Sequence, residues 1–479
     1  MGTQQVETNL FIADRFVPGE GETIEVVNPA TEETVASLCG ASAEQVDAAV
    51  RAARAAFDSG VWRDPAVRKA AICRFADLIE RDRDRLMDII IAELGTPISL
   101  KPNHIDTPVA FMRWFAEHGT CDFTRQLGFN AAATGVSTIA YRPVGVVGAI
   151  TAFNYPLLIG LTKITSAMAV GCTTVLLSSP LAPLAVQALG ALAQEAGIPA
   201  GVVNFLAGGV EAGQALTGHG QVDKISFTGS VNVGRQVMRQ AADGLRGVVL
   251  ELGGKSAAIM MPGVDLAKYA VSLHARYARN AGQGCGSPTR ILIEESRLEE
   301  FVALSRDAYT KIKVGDPRDP ATVTGPLITN AQRLRIEQTI ETAVAGGARI
   351  LAGGGRPPID KGWYLNPMLI GGVDNSASIA RNELFGPVSV VLTYRTVEEA
   401  IAIANDSELG LKAYIFGDRS ECIRMASSLR VGTVQINGGS PLRPDGPMNG
   451  YKLSGLGAEW GEDGLREFLA PQHIDVAIG

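Results

Sequence analysis

Long hydrophobic runs, paired cysteines and any excess of basic charge are all missing from this 479-residue chain. The most apolar stretch, Val144 to Leu177, is interrupted by Asn154, Pro156 and Lys163. It is too broken to span a membrane and reads as buried α/β core. Six cysteines, Cys39, Cys73, Cys121, Cys172, Cys285 and Cys422, are scattered without paired spacing. That argues against a disulfide framework or a metal site and for reduced thiols in a cytoplasmic protein. Lys and Arg number 43 against 50 Asp and Glu, a net charge of −7 with no basic block. Nucleic acid is therefore not an expected partner. The opening MGTQQVETNLFIADRF has no charged region followed by an apolar core, so it does not read as a signal peptide. No internal repeat or low-complexity segment is visible.

What remains is an ordinary soluble composition, 46% hydrophobic and 19% charged. A chain this long should divide into two or three domains. Leu10 to Val17 and Thr23 to Val27 read as short strands. Ser42-Ala-Glu-Gln45 has the form of a capping box, and Val46, Val50, Ala53 and Phe57 follow at helical spacing. Helices are predicted over Val67–Glu80, Asp84–Leu94 and Pro108–Phe123. From Gln126 to Tyr141 the chain turns small and β-prone, either an exposed hairpin or an arm pairing with another subunit.

From Val144 strand and helix signals alternate. Strands are predicted at Val144–Thr151, Thr173–Leu177, Val202–Leu206, Lys224–Phe227 and Val248–Leu252, with helices at Thr162–Val170, Ala182–Ala196 and Val231–Ala242 between them. Such alternation indicates a parallel sheet with helices on both faces. Gly253-Gly254 breaks the pattern. A second α/β series follows, with Arg290–Ile293, the helix Asn330–Ala345, Val388–Tyr394 and Ala413–Phe416. The tail Gln472–Gly479 is an apolar strand without a sequential partner, expected to cross to another element or subunit.

Four stretches could carry chemistry. In Arg279-Asn-Ala-Gly-Gln-Gly-Cys-Gly286 the thiol of Cys285 stands between Gly284 and Gly286, without a bulky neighbour. It is either a nucleophile or a small buried hydrophobe. Gly229-Ser-Val-Asn-Val-Gly234 follows a strand and opens a helix, where free N–H groups suit a pyrophosphate, although the GxGxxG spacing is absent and a plain tight turn is open. Glu251 ends a strand before two glycines, placed as a general base or as an interface ion pair. Asn154 ends another strand, as an oxyanion donor or as a turn former before Pro156. Trp114 and its neighbours Arg113 and Phe115 read as core or as ligand contacts.

Together, TAFNYPLL, ISFTGSVNVG, LELGGKS, NAGQGC and NELFGPV resemble, in order and rough spacing, the NAD(P)-dependent aldehyde dehydrogenase superfamily. The resemblance runs from NLFIADRF to GYKLSGLG. It implies an α/β fold with a Rossmann-type cofactor domain (1–124 and 143–253), an α/β catalytic domain (254–453) and a small β oligomerisation arm (125–142 and 465–479). It implies a homodimer or homotetramer acting on a small-molecule aldehyde, with no metal. Cys285 would attack the aldehyde, Asn154 would hold the oxyanion, Glu251 would activate the hydrolytic water, and Lys163 would sit by the cofactor in support. Phe153, Ser178, Ser179, Gly229, Ser230, Leu252, Glu383 and Phe385 would line the cofactor site. Tyr155, Ile159, Thr162, Arg113, Trp114, Gly284, Gly286 and the loop Gly438–Gly446 would line the substrate tunnel.

Departures from the family pattern shape further expectations. Leu177-Ser-Ser-Pro180 replaces the usual Lys-Pro-Ser-Glu grip on the adenosine ribose, which implies use of NAD or NADP with NAD modestly preferred. Pro447-Met-Asn-Gly450 replaces Pro-Phe-Gly-Gly, and Ala458 stands where an arginine is common. The flanking glycines of Cys285 suggest a roomy floor and an apolar, bulky or aromatic aldehyde. Arg443 is either a solvated loop charge or a partner for the carboxylate of a semialdehyde. A CoA-acylating enzyme and a catalytically retired protein are the competing readings; the presence of Glu251 argues against the first, and the full residue set against the second.

Overall fold

The computed structural model describes residues 6–131, 133–439 and 442–478. Positions 440 and 441 of the Gly438–Gly446 loop, Gly479 of the tail and the first five residues lie outside the described residues. The first sheet is built on five parallel strands in the spatial order Val203–Ala207, Thr173–Ser178, Val146–Ile150, Lys224–Thr228 and Gly247–Glu251. The chain starts in the middle, runs outward to one edge, then returns to the other side. That reversal leaves a crevice beyond the carboxyl ends of Val146–Ile150 and Lys224–Thr228, where open α/β sheets bind ligands. Strand burial is nearly continuous, as it must be when both faces are covered.

Leu10–Val17 is two strands, not one. Leu10–Ile12 and Arg15–Val17 form a hairpin on the edge of this sheet, turned by Ala13 and Asp14 with φ of 50° and 65°. Two residues at positive φ are what a tight hairpin requires, and no glycine announces it. A further strand, Thr34–Cys39, pairs with Thr23–Val27. It is largely solvent-facing, so it has no buried alternation to read. The helix Ala43–Ser59 begins as the capping box predicts: the Gln45 N–H donates to Ser42 Oγ at 3.3 Å, and the Ser42 N–H to the Gln45 side chain at 3.2 Å. The helix expected from Thr162 begins at Pro156. Proline suits a first helical position, and burial almost all round hides the period.

The second sheet runs Arg349–Gly353, Met368–Gly371, Val388–Tyr394, Pro288–Glu294, Ser256–Met260, Lys412–Phe416 and Thr433–Ile436. All its pairs are parallel except the first. One large core surrounds the first sheet and two others flank the second. The link Leu252–Lys255 carries the chain from the carboxyl edge of the first sheet directly into Ser256–Met260 of the second. The tail strand Leu469–Ala477 finds its partner within this chain. It pairs antiparallel with Gly135–Pro143 from Leu469 opposite Pro143 to Ala477 opposite Gly135, and Arg125–Phe129 completes a three-stranded sheet.

Candidate active site

Cys285 lies in the loop between the turn Arg279–Gly282 and the strand Pro288–Glu294. Asn280 and Ala281 both take left-handed φ, 53° and 54°. Such conformations cost on the order of 1–3 kcal/mol each and persist only when their surroundings hold them. Here the Asn280 amide donates to the Asn154 carbonyl at 3.1 Å. The fully buried Gln283 side chain donates to the Asn280 carbonyl at 3.2 Å and accepts from the Ile328 N–H at 3.0 Å. The thiol loop is thereby tied to the strand end that carries Asn154.

Glu251 ends its strand with Oε2 4.0 Å from Cys285 Sγ. Its side chain is buried, and its Oε1 has no hydrogen-bond partner among the described residues. Burial first, and then the nearby Glu459 carboxylate, push the Glu251 carboxyl well above the usual range, with Lys163 and Lys412 opposing. Burial and Glu251 likewise push the Cys285 thiol up, again opposed by Lys412. Asn154 donates one amide N–H to the Gln283 carbonyl at 2.9 Å. A primary amide carries two, so one remains for a ligand.

These groups share a cavity of about 1360 Å³ that runs from the crevice of the first sheet to Cys285. Phe153, Ser178, Ser179, Gly229, Ser230, Leu252, Glu383 and Phe385 line it, as do Tyr155, Ile159, Thr162, Gly284 and Gly286. The room that the two glycines were expected to leave is already filled. A Cβ on Gly286 would lie 2.7 Å from Lys412 Cδ, and one on Gly284 would lie 2.9 Å from Ser287 Oγ.

Four expected residues do not line the cavity. Arg113 turns outward to Asp77 and Glu80, both at 2.5 Å. Trp114 stacks on His118 and packs against the core. Arg443 pairs with Asp445 two residues on, in an exposed loop. Lys163 is wholly buried, bonded to Ser226 Oγ at 2.9 Å and ion-paired with Glu459. It meets the cavity through Glu459, which lines it. Glu459, Lys412, Arg279 and Tyr414 also line the cavity. Lys412, Tyr414 and Glu459 owe their positions to pairing between distant strands, which no local motif signals, whereas Arg279 opens the Cys285 stretch itself.

A sequence profile of the aldehyde dehydrogenase family matches residues 16–474. The chain belongs to that family. Retinal dehydrogenase 2 of Rattus norvegicus is 38% identical, over 98% of this chain and 92% of that protein. Geranial dehydrogenase of Castellaniella defragrans is 37% identical, over 95% and 96%. The crystal structure of a Mycobacterium tuberculosis aldehyde dehydrogenase complexed with NAD+ superposes with a TM-score of 0.93 at 40% identity, covering 98% of each chain. The reaction class is the NAD-dependent oxidation of an aldehyde.

The cavity of this aldehyde dehydrogenase has the features that a dinucleotide needs. The helix Val231–Asp243 points its amino end into the crevice, and Ser230 Oγ caps it by accepting from the Val233 N–H at 3.4 Å. The other first-turn N–H groups and the dipole favour an anion there. The buried hydroxyl of Thr228, on the cavity wall beside Gly229, has no hydrogen-bond partner among the described residues. Glu383 accepts from the Gly254 N–H through Oε1 at 3.0 Å, and burial pushes its carboxyl up to about 7. Its other oxygen approaches Gly253 so closely that a Cβ there would lie 2.1 Å away. Ser178 fits less well than expected, because its hydroxyl donates to the Leu206 carbonyl at 3.0 Å. Among the described residues no helix is long and apolar enough to cross a membrane.

Proposed function

We propose that this enzyme oxidises its aldehyde hydrolytically, with Cys285 as nucleophile and Glu251 as general base. The observation that carries this is the 4.0 Å approach of Glu251 Oε2 to Cys285 Sγ inside the cavity, with Oε1 unpartnered beside them. Cys285 releases its proton to water, with Lys412 favouring the thiolate, and the sulfur adds to the carbonyl carbon to form a thiohemiacetal. The free N–H of Asn154 and the Cys285 backbone N–H receive the oxyanion. When bound, NAD would supply the hydride acceptor, and the amino end of the helix Val231–Asp243 and the free oxygen of Glu383 would hold it. Loss of hydride leaves a thioester on Cys285. Glu251 takes a proton from water, the water oxygen bonds to the acyl carbon, and the C–S bond breaks to give the carboxylic acid and the thiol. A carboxyl next to the sulfur favours water over a CoA thiol as the acceptor.

The domain division at residues 253/254, with 125–142 and 465–479 as an arm, is part of this reading, supported by separate cores and by the arm's own sheet. So are assembly as a homodimer or homotetramer, a cytoplasmic location, and use of NADP beside NAD. Rapid mixing of Glu251→Gln with aldehyde and NAD tests the central claim. A full NADH burst followed by slow turnover is expected. A uniformly slow first turnover would place Glu251 before hydride loss instead.

A further inference from the structure

The cavity wall that meets Cys285 is apolar on the side of the first sheet and cationic on the side of the second. Leu158, Ile159 and Tyr155 come from the helix Pro156–Val170 and the residue before it. Opposite them, Lys412 begins the strand Lys412–Phe416, with its stem lying where a side chain on Gly286 would be. Arg279 begins the turn that leads to Cys285. Both cations are half-buried and line the cavity, and neither makes a hydrogen bond or ion pair among the described residues. Tyr155 lies within the electrostatic reach of Arg279 and Cys285, and Cys285 within that of Lys412.

The other cations of the cavity already have acceptors: Arg335 donates to the Leu384 carbonyl at 2.6 Å and to Gln332 Oε1 at 3.2 Å. Arg276 donates to Gln435 at 3.1 Å and to the Gly438 carbonyl at 2.9 Å. Glu459 pairs with Lys163, Glu383 holds the Gly254 N–H, and the burial of Glu251 favours its neutral form. Among the described residues no carboxylate forms a hydrogen bond or ion pair with Lys412 or Arg279, and Glu251 reaches Lys412 through the electrostatic field alone. A half-buried cation without a partner has lost part of its hydration and gained nothing for it, which makes it receptive to an anionic ligand.

We propose that the aldehyde oxidised here carries a carboxylate remote from its carbonyl, and that Lys412 and Arg279 receive that carboxylate while the apolar wall holds the spacer. This rests on Cys285 being the nucleophile. It takes over the part that Arg443 was expected to play, since Arg443 is engaged by Asp445 outside the cavity. It also narrows the expectation of a purely apolar aldehyde, because one wall is cationic.

The test compares each acid with its methyl ester, which removes the charge and adds one methyl group. 4-Formylbenzoate is set against methyl 4-formylbenzoate, and 6-oxohexanoate against methyl 6-oxohexanoate, at saturating NAD. At least one acid should exceed its ester by about tenfold or more in kcat/KM, chiefly through KM. That ratio should fall toward one in Lys412→Met and in Arg279→Gln, and recover in Lys412→Arg. Thiol activation by Lys412 alone would change acid and ester alike and leave the ratio where it was. The proposal is overturned when neither acid outruns its ester, or when the ratio survives in both the Lys412→Met and Arg279→Gln variants. Failure of the underlying reading has a different signature: no NADH from acids, esters or simple neutral aldehydes, or turnover that persists in Cys285→Ala.

Discussion

Glu251 is held at the end of its strand with one oxygen toward sulfur and the other unpartnered, so its protonation state governs what it can do. Burial disfavours the charged form, and the folded-state pKa is raised. Below that pKa the carboxyl is neutral and cannot accept a proton from water. Deacylation should therefore quicken as pH rises through it, and steady-state kcat in Glu251→Gln should lose that dependence. Linkage gives an independent check of sign. A group raised on folding contributes stability that is full below its unfolded pKa and is lost as pH rises through the folded one. Glu251→Gln should accordingly gain Tm over the parent at alkaline pH and not at acid pH. A mutant advantage confined to acid pH would show that the native carboxylate is stabilised instead.

The glycines around the nucleophile differ in what a methyl group would meet. A Cβ on Gly254 would lie 2.2 Å from the Cys285 carbonyl oxygen, backbone against backbone, with nothing free to swing aside. Gly254→Ala should displace the thiol, and a shift near 1 Å costs about 10²-fold in rate. On Gly286 the added atom meets the flexible stem of Lys412, so Gly286→Ala should retain more kcat than Gly254→Ala. Equal losses in kcat, measured on a neutral aldehyde, would count against that distinction. For Asn154→Ala, which removes the free amide N–H, a loss of about 10²–10³ in kcat is expected. A loss below about tenfold would make Asn154 structural, a brace for the Gln283 carbonyl.

At the scale of elements, what was legible followed strong local rules. Strand ends followed by glycine or asparagine placed Glu251, Asn154 and Gly229 at the crevice, and the Ser42–Gln45 pair placed a helix start to the residue. What was not legible depends on register between distant strands. Lys412 stands in an otherwise β-prone run, and only the pairing of Ser256–Met260 with both Pro288–Glu294 and Lys412–Phe416 brings it beside Cys285. Arg113 misled because the acids that claim it, Asp77 and Glu80, lie on the earlier helix Pro65–Arg81, with which its own helix packs. For Arg443 the acid stood two residues away.

The strand Thr173–Ser178 carries the cofactor prediction. Leu177 lines the cavity at its end and brings no polar group to the ribose, and the Ser178 hydroxyl is engaged within the sheet. Ser179 remains, with no acid to repel a 2′-phosphate and no base to attract one. Both cofactors should work, with NAD modestly preferred, as measured by kcat/KM for each at fixed aldehyde. A preference above about a hundredfold, roughly 2.7 kcal/mol, would mean that residues beyond this strand decide the choice.

The three-stranded arm bears on the whole molecule. In Arg125–Phe129 every residue is exposed, and in Leu469–Ala477 all but the first are. Phe129 is 70% exposed and Val476 is 59%, with Leu127, Ile474 and Ile478 also open to solvent. Within the chain the arm satisfies its inner ladders, but its outer edges and these apolar side chains find no cover. An exposed apolar sheet with free edges invites pairing with another chain, and proteins that stay monomeric blunt such edges with charge, proline or a covering element. Here the outermost strands set Leu127, Phe129 and Val476 against only Arg125, Pro471 and Asp475 to blunt them. Light scattering at micromolar concentration should therefore report a multiple of the 50.4 kDa chain mass. Phe129→Asp combined with Val476→Asp should shift the population toward monomer while leaving the buried cores untouched. A parent protein that runs at 50.4 kDa, or a double variant whose mass is unchanged from an oligomeric parent, would remove the arm from the assembly.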